Sequence, residues 1–250
     1  MYFLLALQLI FFTLTLPAGS VTIPLAATAI LAFLVSTAVA FAVPSGKGNS
    51  KSKSAKTASD NKTTWLVPKL LILTFIVSAG VGVFEVGLAL RGKQELSLTP
   101  YQIALMFTEC SLVMFVMQAI IFSPWFNPDK TRWLITPALF VLAVGLFFIP
   151  WAENFKLMLV VIATVAASAG ILSPILTYWI SAKAGSAQGW ELGKQTAAAS
   201  LGVTLGSVAG GLLFNVAFLP GASFILTAAI VALGFMLSLG MPKLLAPQNL

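Results

Sequence analysis

The 250-residue chain contains no histidine and a single cysteine, Cys110. It therefore cannot close a disulfide within itself, and it has no His/Cys metal cluster. Charge is also scarce. Asp, Glu, Lys and Arg together make up 8% of the residues, against about 25% in an ordinary soluble domain. With a hydrophobic fraction of 59% and a mean hydropathy of +0.99, that shortage excludes a water-soluble globular fold. Motifs for nucleotide and enzyme chemistry are missing as well. No GxxxxGK[ST] loop is present, which argues against an ATP-driven pump within the chain. No nucleophile elbow and no HExxH appear, and Asp129 and Glu191 stand too isolated to form an intramembrane enzyme site. No enzyme activity and no cofactor are expected.

What remains is a series of long apolar runs. Runs of about 20 residues indicate α-helical spans, whereas an outer-membrane barrel shows alternating segments of about ten. The expected fold is an all-α polytopic membrane protein. Full spans are expected at Val21–Val43, Leu70–Leu90, Tyr101–Phe122, Trp133–Trp151, Leu157–Ile180, Thr196–Phe218 and Ser223–Met241. Residues 2–16 are apolar but cover only about 22 Å at ~1.5 Å per residue, short of the ~30 Å hydrocarbon core. They read as an incomplete or interfacial helix. A cleaved signal ending in the small residues PAGS at 17–20 is the alternative, although no basic segment follows Met1. Thr99-Pro100 reads as an N-cap with proline at the first helical position. Pro220-Gly221 reads as the tight connection between the last two spans.

The charge that exists is concentrated. Six of the fourteen Lys and Arg residues fall in Pro44–Lys69, a stretch rich in Ser, Thr, Lys and Gly. A basic tract between apolar runs reads as a cytoplasmic membrane loop rather than a nucleic-acid patch, so no nucleic-acid partner is expected. With that loop in the cytoplasm, Lys130, Arg132, Lys183, Lys194 and Lys243 join it, giving eleven cytoplasmic cations. Arg91, Lys93 and Lys156 make three outside. Both termini then lie in the cytoplasm, and the sequon Asn61-Lys62-Thr63 faces the wrong side for glycosylation.

Most of the seven acidic residues fall in or beside loops. Glu85 and Glu109 do not. Counted from the external ends of the expected spans, they lie about 8 and 13 Å deep at ~1.5 Å per residue. Charged groups at such depth face a bundle interior or a water-filled cavity, and a carboxyl there suits exchange of protons or binding of a cation. Ser78 shares a helix face with Glu85, and Gln102 with Glu109, each seven residues apart. Gln118 lies about half a turn round from Glu109 and lines another surface. The functional reading is a substrate- or proton-binding pair in a cavity with Ser78, Gln102 and Gln118 as polar lining. The structural reading is a protonated Glu bonded to a neighbouring helix.

A second pattern concerns packing. Ala198, Gly202, Gly206 and Gly210 recur every four residues, and Ser207 and Gly211 broaden the strip into a groove for a neighbouring helix. Pro174 is expected to kink its helix and to free the Gly170 carbonyl. Tyr178 and Trp179 read as membrane-interface anchors.

Six spans after a long basic loop resemble the second half of a major facilitator superfamily transporter. The stretch GILSPILTYWISAKAGSAQGWELGKQTAAASLGVTLGSVAGGLL at 170–213 is similar to that family's tenth and eleventh helices and their joining loop. FEVGLALRGKQELSLTPYQIALMFTECS at 84–111 is similar to the seventh and eighth helices of proton-coupled drug-efflux members. SPWFNPDKTRW at 123–133 occupies the place of the family's cytoplasmic gating motif and keeps only Asp129, Lys130 and Arg132. The resemblance implies residues 1–43 as a remnant of the first helical half and 44–69 as the linker between halves. It implies 70–241 as a six-helix half built of two inverted three-helix repeats, and 242–250 as a cytoplasmic tail. It further implies a bacterial inner-membrane antiporter exchanging protons for a small organic molecule, incomplete without a separate N-terminal half or a second copy. The alternative from another class is a truncated, non-transporting homologue that serves as a membrane scaffold or assembly subunit.

Overall fold

The computed structural model describes residues 66–123, 131–184, 187–214 and 221–245. The short helix expected at 2–16, the span Val21–Val43, the Lys-rich stretch up to Trp65 and the turn residue Pro220 lie outside the described residues. So does the segment 124–130, with Asp129 and Lys130.

Among the described residues the chain is helical throughout. Six long helices follow one another: α1 Leu66–Gln94, α2 Pro100–Ile121, α3 Arg132–Phe148, α4 Phe155–Lys183, α5 Gln188–Phe214 and α6 Ala222–Ser238. A last short turn, α7, covers Met241–Leu244. Helices are the natural outcome for such a sequence, because a hydrocarbon core offers the backbone no water to bond with. Among the described residues five helical segments are long and apolar enough to cross a membrane, α3 being counted with the turn that continues it to Trp151, and α6 is shorter at 17 residues. The protein is thus an all-α polytopic membrane protein.

The ends show why each helix stops where it does. Thr99 caps α2 through a reciprocal pair: its hydroxyl accepts from the Gln102 N–H at 3.3 Å, and its own N–H donates to Gln102 Oε1 at 2.9 Å. Pro100 fills the first helical position, where no N–H is needed. α3 ends three residues before the expected Trp151, because Pro150 tightens the chain into a 3-10 turn over Ile149–Trp151. α6 stops at Ser238, ahead of a second proline-led turn at Met241-Pro242. Met241 and Leu245 are buried, so this start of the expected tail packs back onto the bundle. α1 and α5 run further than expected, to Gln94 and from Gln188.

α1 packs on α5 and α6, while α4 packs on α2 and α3; α1 meets α4, and α3 meets α6. Exchanging the first three helices for the second three leaves this pattern unchanged. Since α1 and α4 run in opposite directions, the pattern is that of two three-helix units of opposite orientation. α1 and α4 are the most enclosed, and α2 and α5 the least. α3 and α6 turn Phe140, Phe147, Leu233 and Met236 outward, as helices bathed in lipid do.

The closest seam joins α1 and α5. A Cβ placed on Gly202 would lie 2.6 Å from the Phe75 carbonyl oxygen, and one on Gly206 would strike the Ala79 carbonyl. Gly210 faces Val83 in the same way, and Gly82 of α1 lies against Val203 and Ser207 in return. Gly211 stands clear of this line, with only Val86 near it at 3.9 Å. Both backbones approach because small residues occupy the contact every fourth position.

Candidate functional site

Two recesses matter for function. The larger is an open groove of about 740 Å³ between α1, α4 and α5, with Met114 of α2 at its edge. Half of its lining residues are uncharged and polar: Thr74 and Ser78 from α1, Ser173 and Thr177 from α4, and Gln195, Thr196, Ser200 and Thr204 from α5. The helical period brings them together. Ser173 and Thr177 are one turn apart on α4, as are Thr196, Ser200 and Thr204 on α5.

Four of the seven hydroxyls that line this groove donate to the backbone of their own helix. Thr74 donates to the Leu70 carbonyl, Thr177 to Ser173, Thr196 to Leu192 and Thr204 to Ser200, at 2.8 to 3.0 Å. Such back-bonding satisfies the donor and leaves the oxygen lone pairs free to accept. Gln195 takes up one of them, donating from Nε2 to Thr177 Oγ1 at 2.8 Å and tying α5 to α4. The groove therefore presents several threonine acceptors beside the Gln195 amide and three serine hydroxyls, with no charged residue in its lining.

The second recess, about 560 Å³, lies between α2, α3 and α4 and holds Glu109. Glu109 and Met114 are five residues apart on α2, about 140° round the helix at ~100° per residue. Glu109 consequently turns away from the polar groove. It is half-buried, and its Oε2 is shut off from solvent with no hydrogen-bond partner among the described residues.

Glu85 is exposed on α1 and lies deeper than the sequence suggests. Because α1 continues to Gln94, Glu85 sits nine residues before its end. Glu109 sits nine residues after Pro100. α1 ends where α2 begins, so the two carboxyls lie at the same level, about 13 Å from that end at ~1.5 Å per residue. Cys110, next to Glu109 on α2, is buried.

The remaining candidates are dispersed. Ser78 lines the large groove. Gln102 is occupied by the cap of α2. Gln118 is half-buried near the far end of α2 and borders neither recess. Pro174 lies inside α4 beside the groove residue Ser173, and the helix continues through it to Lys183. The structure thus brings Ser78 together with a set of α4 and α5 residues that the sequence reading does not single out. The one-turn spacing of Ser173/Thr177 and Thr196/Ser200/Thr204 was the signal available.

Two other residues change role. Trp179 is not an interface anchor: it is 5% exposed, and its indole N–H donates to Thr131 Oγ1 at 3.1 Å, whereas its neighbour Tyr178 stays exposed. Arg91, counted in the sequence only as one of three outer cations, is enclosed by the fold. It is 5% exposed, bonds the Pro150 carbonyl at 2.7 Å and pairs with Glu95 at 2.6 Å. It pins the end of α1 to the turn between α3 and α4.

No family model matches the chain. Two curated proteins of Bacillus subtilis (strain 168) are similar to it. Multidrug resistance protein 2 is 28% identical over 144 residues, which is 58% of this chain and 36% of that protein. Multidrug resistance protein 1 is 27% identical over 150 residues, 58% of this chain and 37% of that protein. The chain spans little more than a third of the length of these relatives.

Proposed function

We propose that the chain forms one helical half of a major-facilitator-type secondary transporter, exporting small organic molecules in exchange for protons across a bacterial inner membrane. The observation that carries this reading is the open groove of about 740 Å³, half of whose lining residues bear hydroxyl or amide groups, within an otherwise apolar bundle. A bundle that only scaffolds has no need to hold polar side chains in a wide recess at membrane depth. The similarity to two proteins named for multidrug resistance supports efflux of small molecules. The opposed three-helix units support movement by rocking about a central site.

In this reading the groove takes the substrate, with Ser78, Thr177 and Gln195 as its polar contacts. Glu85 and Glu109 exchange protons or balance a cationic substrate. Opposite the groove stands a second helical half, supplied by the same reading frame, a neighbouring one or a second copy. The Lys-rich stretch at 44–69 links the halves on the cytoplasmic side. No bond in the substrate is made or broken, so no enzymatic step is assigned.

Inside-out vesicles from the native host test this directly. Adding a panel of cationic, neutral and anionic dyes is expected to release protons from energised vesicles that carry the protein, for at least one dye. Glu85→Gln or Glu109→Gln is expected to abolish that release. Proton-coupled dye movement that survives both substitutions sinks the assignment of the carboxyls.

A further inference from the structure

Two clefts run down the lipid-facing side of the bundle, one on each flank of α3. The first, about 470 Å³, lies between α3 and α6 and runs from Phe148 and Ile225 to Phe140 and Met236. Its lining is wholly apolar. The second, about 330 Å³, lies between α3 and α4 and runs from Trp151 and Leu157 to Val144 and Thr164. Its one hydroxyl, on Thr164, donates to the Val160 carbonyl at 2.8 Å. Val144 and Phe148 line both clefts. Both begin at the end of the bundle where α3 turns into α4, and each is about 10–12 Å long at ~1.5 Å per residue. One leaflet of the hydrocarbon core is about 15 Å deep, so each cleft lies within a single leaflet.

The shared end is marked in two ways. Trp151 is exposed and packs on Phe147, with ring centres 4.6 Å apart, and an exposed indole settles at head-group level. Two charges of opposite sign stand beside it. Glu153 follows Trp151 by two residues, and Lys156 immediately precedes Leu157 of the second cleft. Both are exposed, and neither makes an ion pair among the described residues.

We infer that the two clefts hold the two acyl chains of one phospholipid astride α3, with its phosphate at Lys156 and its ammonium group at Glu153. Shape and charge together select this occupant. A helix of a second copy, about 10 Å across, lies over α3 and cannot enter clefts on both its flanks. A single-chain fatty acid fills one cleft and leaves Glu153 unmatched. A purely anionic head group suits Lys156 but is repelled by Glu153. A head group with a phosphate and a primary ammonium suits both, and that ammonium donates hydrogen bonds to the carboxylate that a quaternary one cannot. The inference stands apart from the transporter reading, because neither cleft is lined by the polar groove residues or by Glu109.

Native mass spectrometry of the full chain tests it. The chain is reconstituted with equal parts of phosphatidylethanolamine, phosphatidylcholine and phosphatidylglycerol of identical acyl chains, then released from detergent. One retained phosphatidylethanolamine per chain is expected, enriched at least about threefold over each of the others. Lys156→Gln and Glu153→Gln are each expected to remove most of that preference. Ala229→Trp fills the α3/α6 cleft from an exposed position and leaves both charges in place. It is expected to lower retention of all three lipids at least about threefold. Lys93→Gln at the end of α1 and Leu212→Trp on the exposed face of α5 are expected to change neither reading. Equal retention of the three lipids by the unaltered chain means bulk lipid only and overturns the site. A preference for phosphatidylglycerol overturns it too, as does a phosphatidylethanolamine adduct indifferent to Lys156→Gln, Glu153→Gln and Ala229→Trp.

Discussion

Arg91 illustrates how much a single side chain gains from its neighbours. In the sequence it sits in an RGK triplet at a helix end, and a solvated loop charge is the natural reading. In the fold its guanidinium crosses to the Pro150 carbonyl and holds Glu95 one turn further on. Hydrogen bonds to a charged group are worth about 1.5–3 kcal/mol when the partner would otherwise be stranded. Arg91→Met is therefore expected to destabilise the protein by about 2 kcal/mol, read as a fall of several degrees in the melting temperature in detergent. Lys93→Met, exposed on the same turn, is expected to leave it unchanged; equal effects would deny Arg91 its clasp. Gln195 was hidden for a related reason. It lies in QGWELGKQTAAAS, where the small residues draw attention, and its role appears only when Thr177 of α4 comes within 2.8 Å. Glu85 and Glu109 were legible as intramembrane acids from hydropathy alone. That they point into different surroundings was not, because a single helix does not reveal which neighbours flank it.

At the scale of the element, the strip on α5 was the most legible feature of all. Gly202, Gly206 and Gly210 at four-residue spacing specify a smooth face. They do not specify its partner, which turns out to be α1 from Phe75 to Val83 with Gly82 answering in kind. A β-branched side chain at the seam must push two backbones apart. Gly206→Val is expected to cost more than about 3 kcal/mol, seen as loss of a monodisperse peak in size-exclusion chromatography. Gly211→Val, whose Cβ meets only Val86 at 3.9 Å, is expected to cost less than about 1 kcal/mol. Comparable damage from both would deny the seam its geometry. Helix boundaries were less legible than helix existence. Apolar counting truncated α1 at Leu90 and started α5 at Thr196, because the first and last turns of both helices carry polar residues. Thr99-Pro100 was legible as chain punctuation, whereas the expected spans ran on to Trp151 and Met241, into the turns that Pro150 and Pro242 lead. Gln102, however, could not serve both as cap and as cavity lining.

On the scale of the whole molecule, the packing has a symmetry that no stretch of sequence displays. α1 with α5 mirrors α4 with α2, and α3 with α6 is its own counterpart. The orientation proposed from eleven cations against three has a simple check. In a Cys110→Ala background, Gly189→Cys is expected to react with a membrane-impermeant thiol reagent only from the cytoplasmic side. Glu153→Cys is expected to react only from the outside. The reverse pattern inverts the topology and moves the polar groove to the other leaflet's perspective. The central claim is that this bundle moves small organic molecules at the expense of a proton gradient. It is tested most directly by deleting the coding sequence in its native host and measuring retention of a lipophilic cationic dye. The account predicts greater retention in the deletion strain, restored to the original level by the wild-type sequence but not by Glu109→Gln, and no difference between strains once a protonophore has collapsed the gradient. Equal retention in energised wild-type and deletion cells across a dye panel would contradict it and leave a membrane scaffold as the better description.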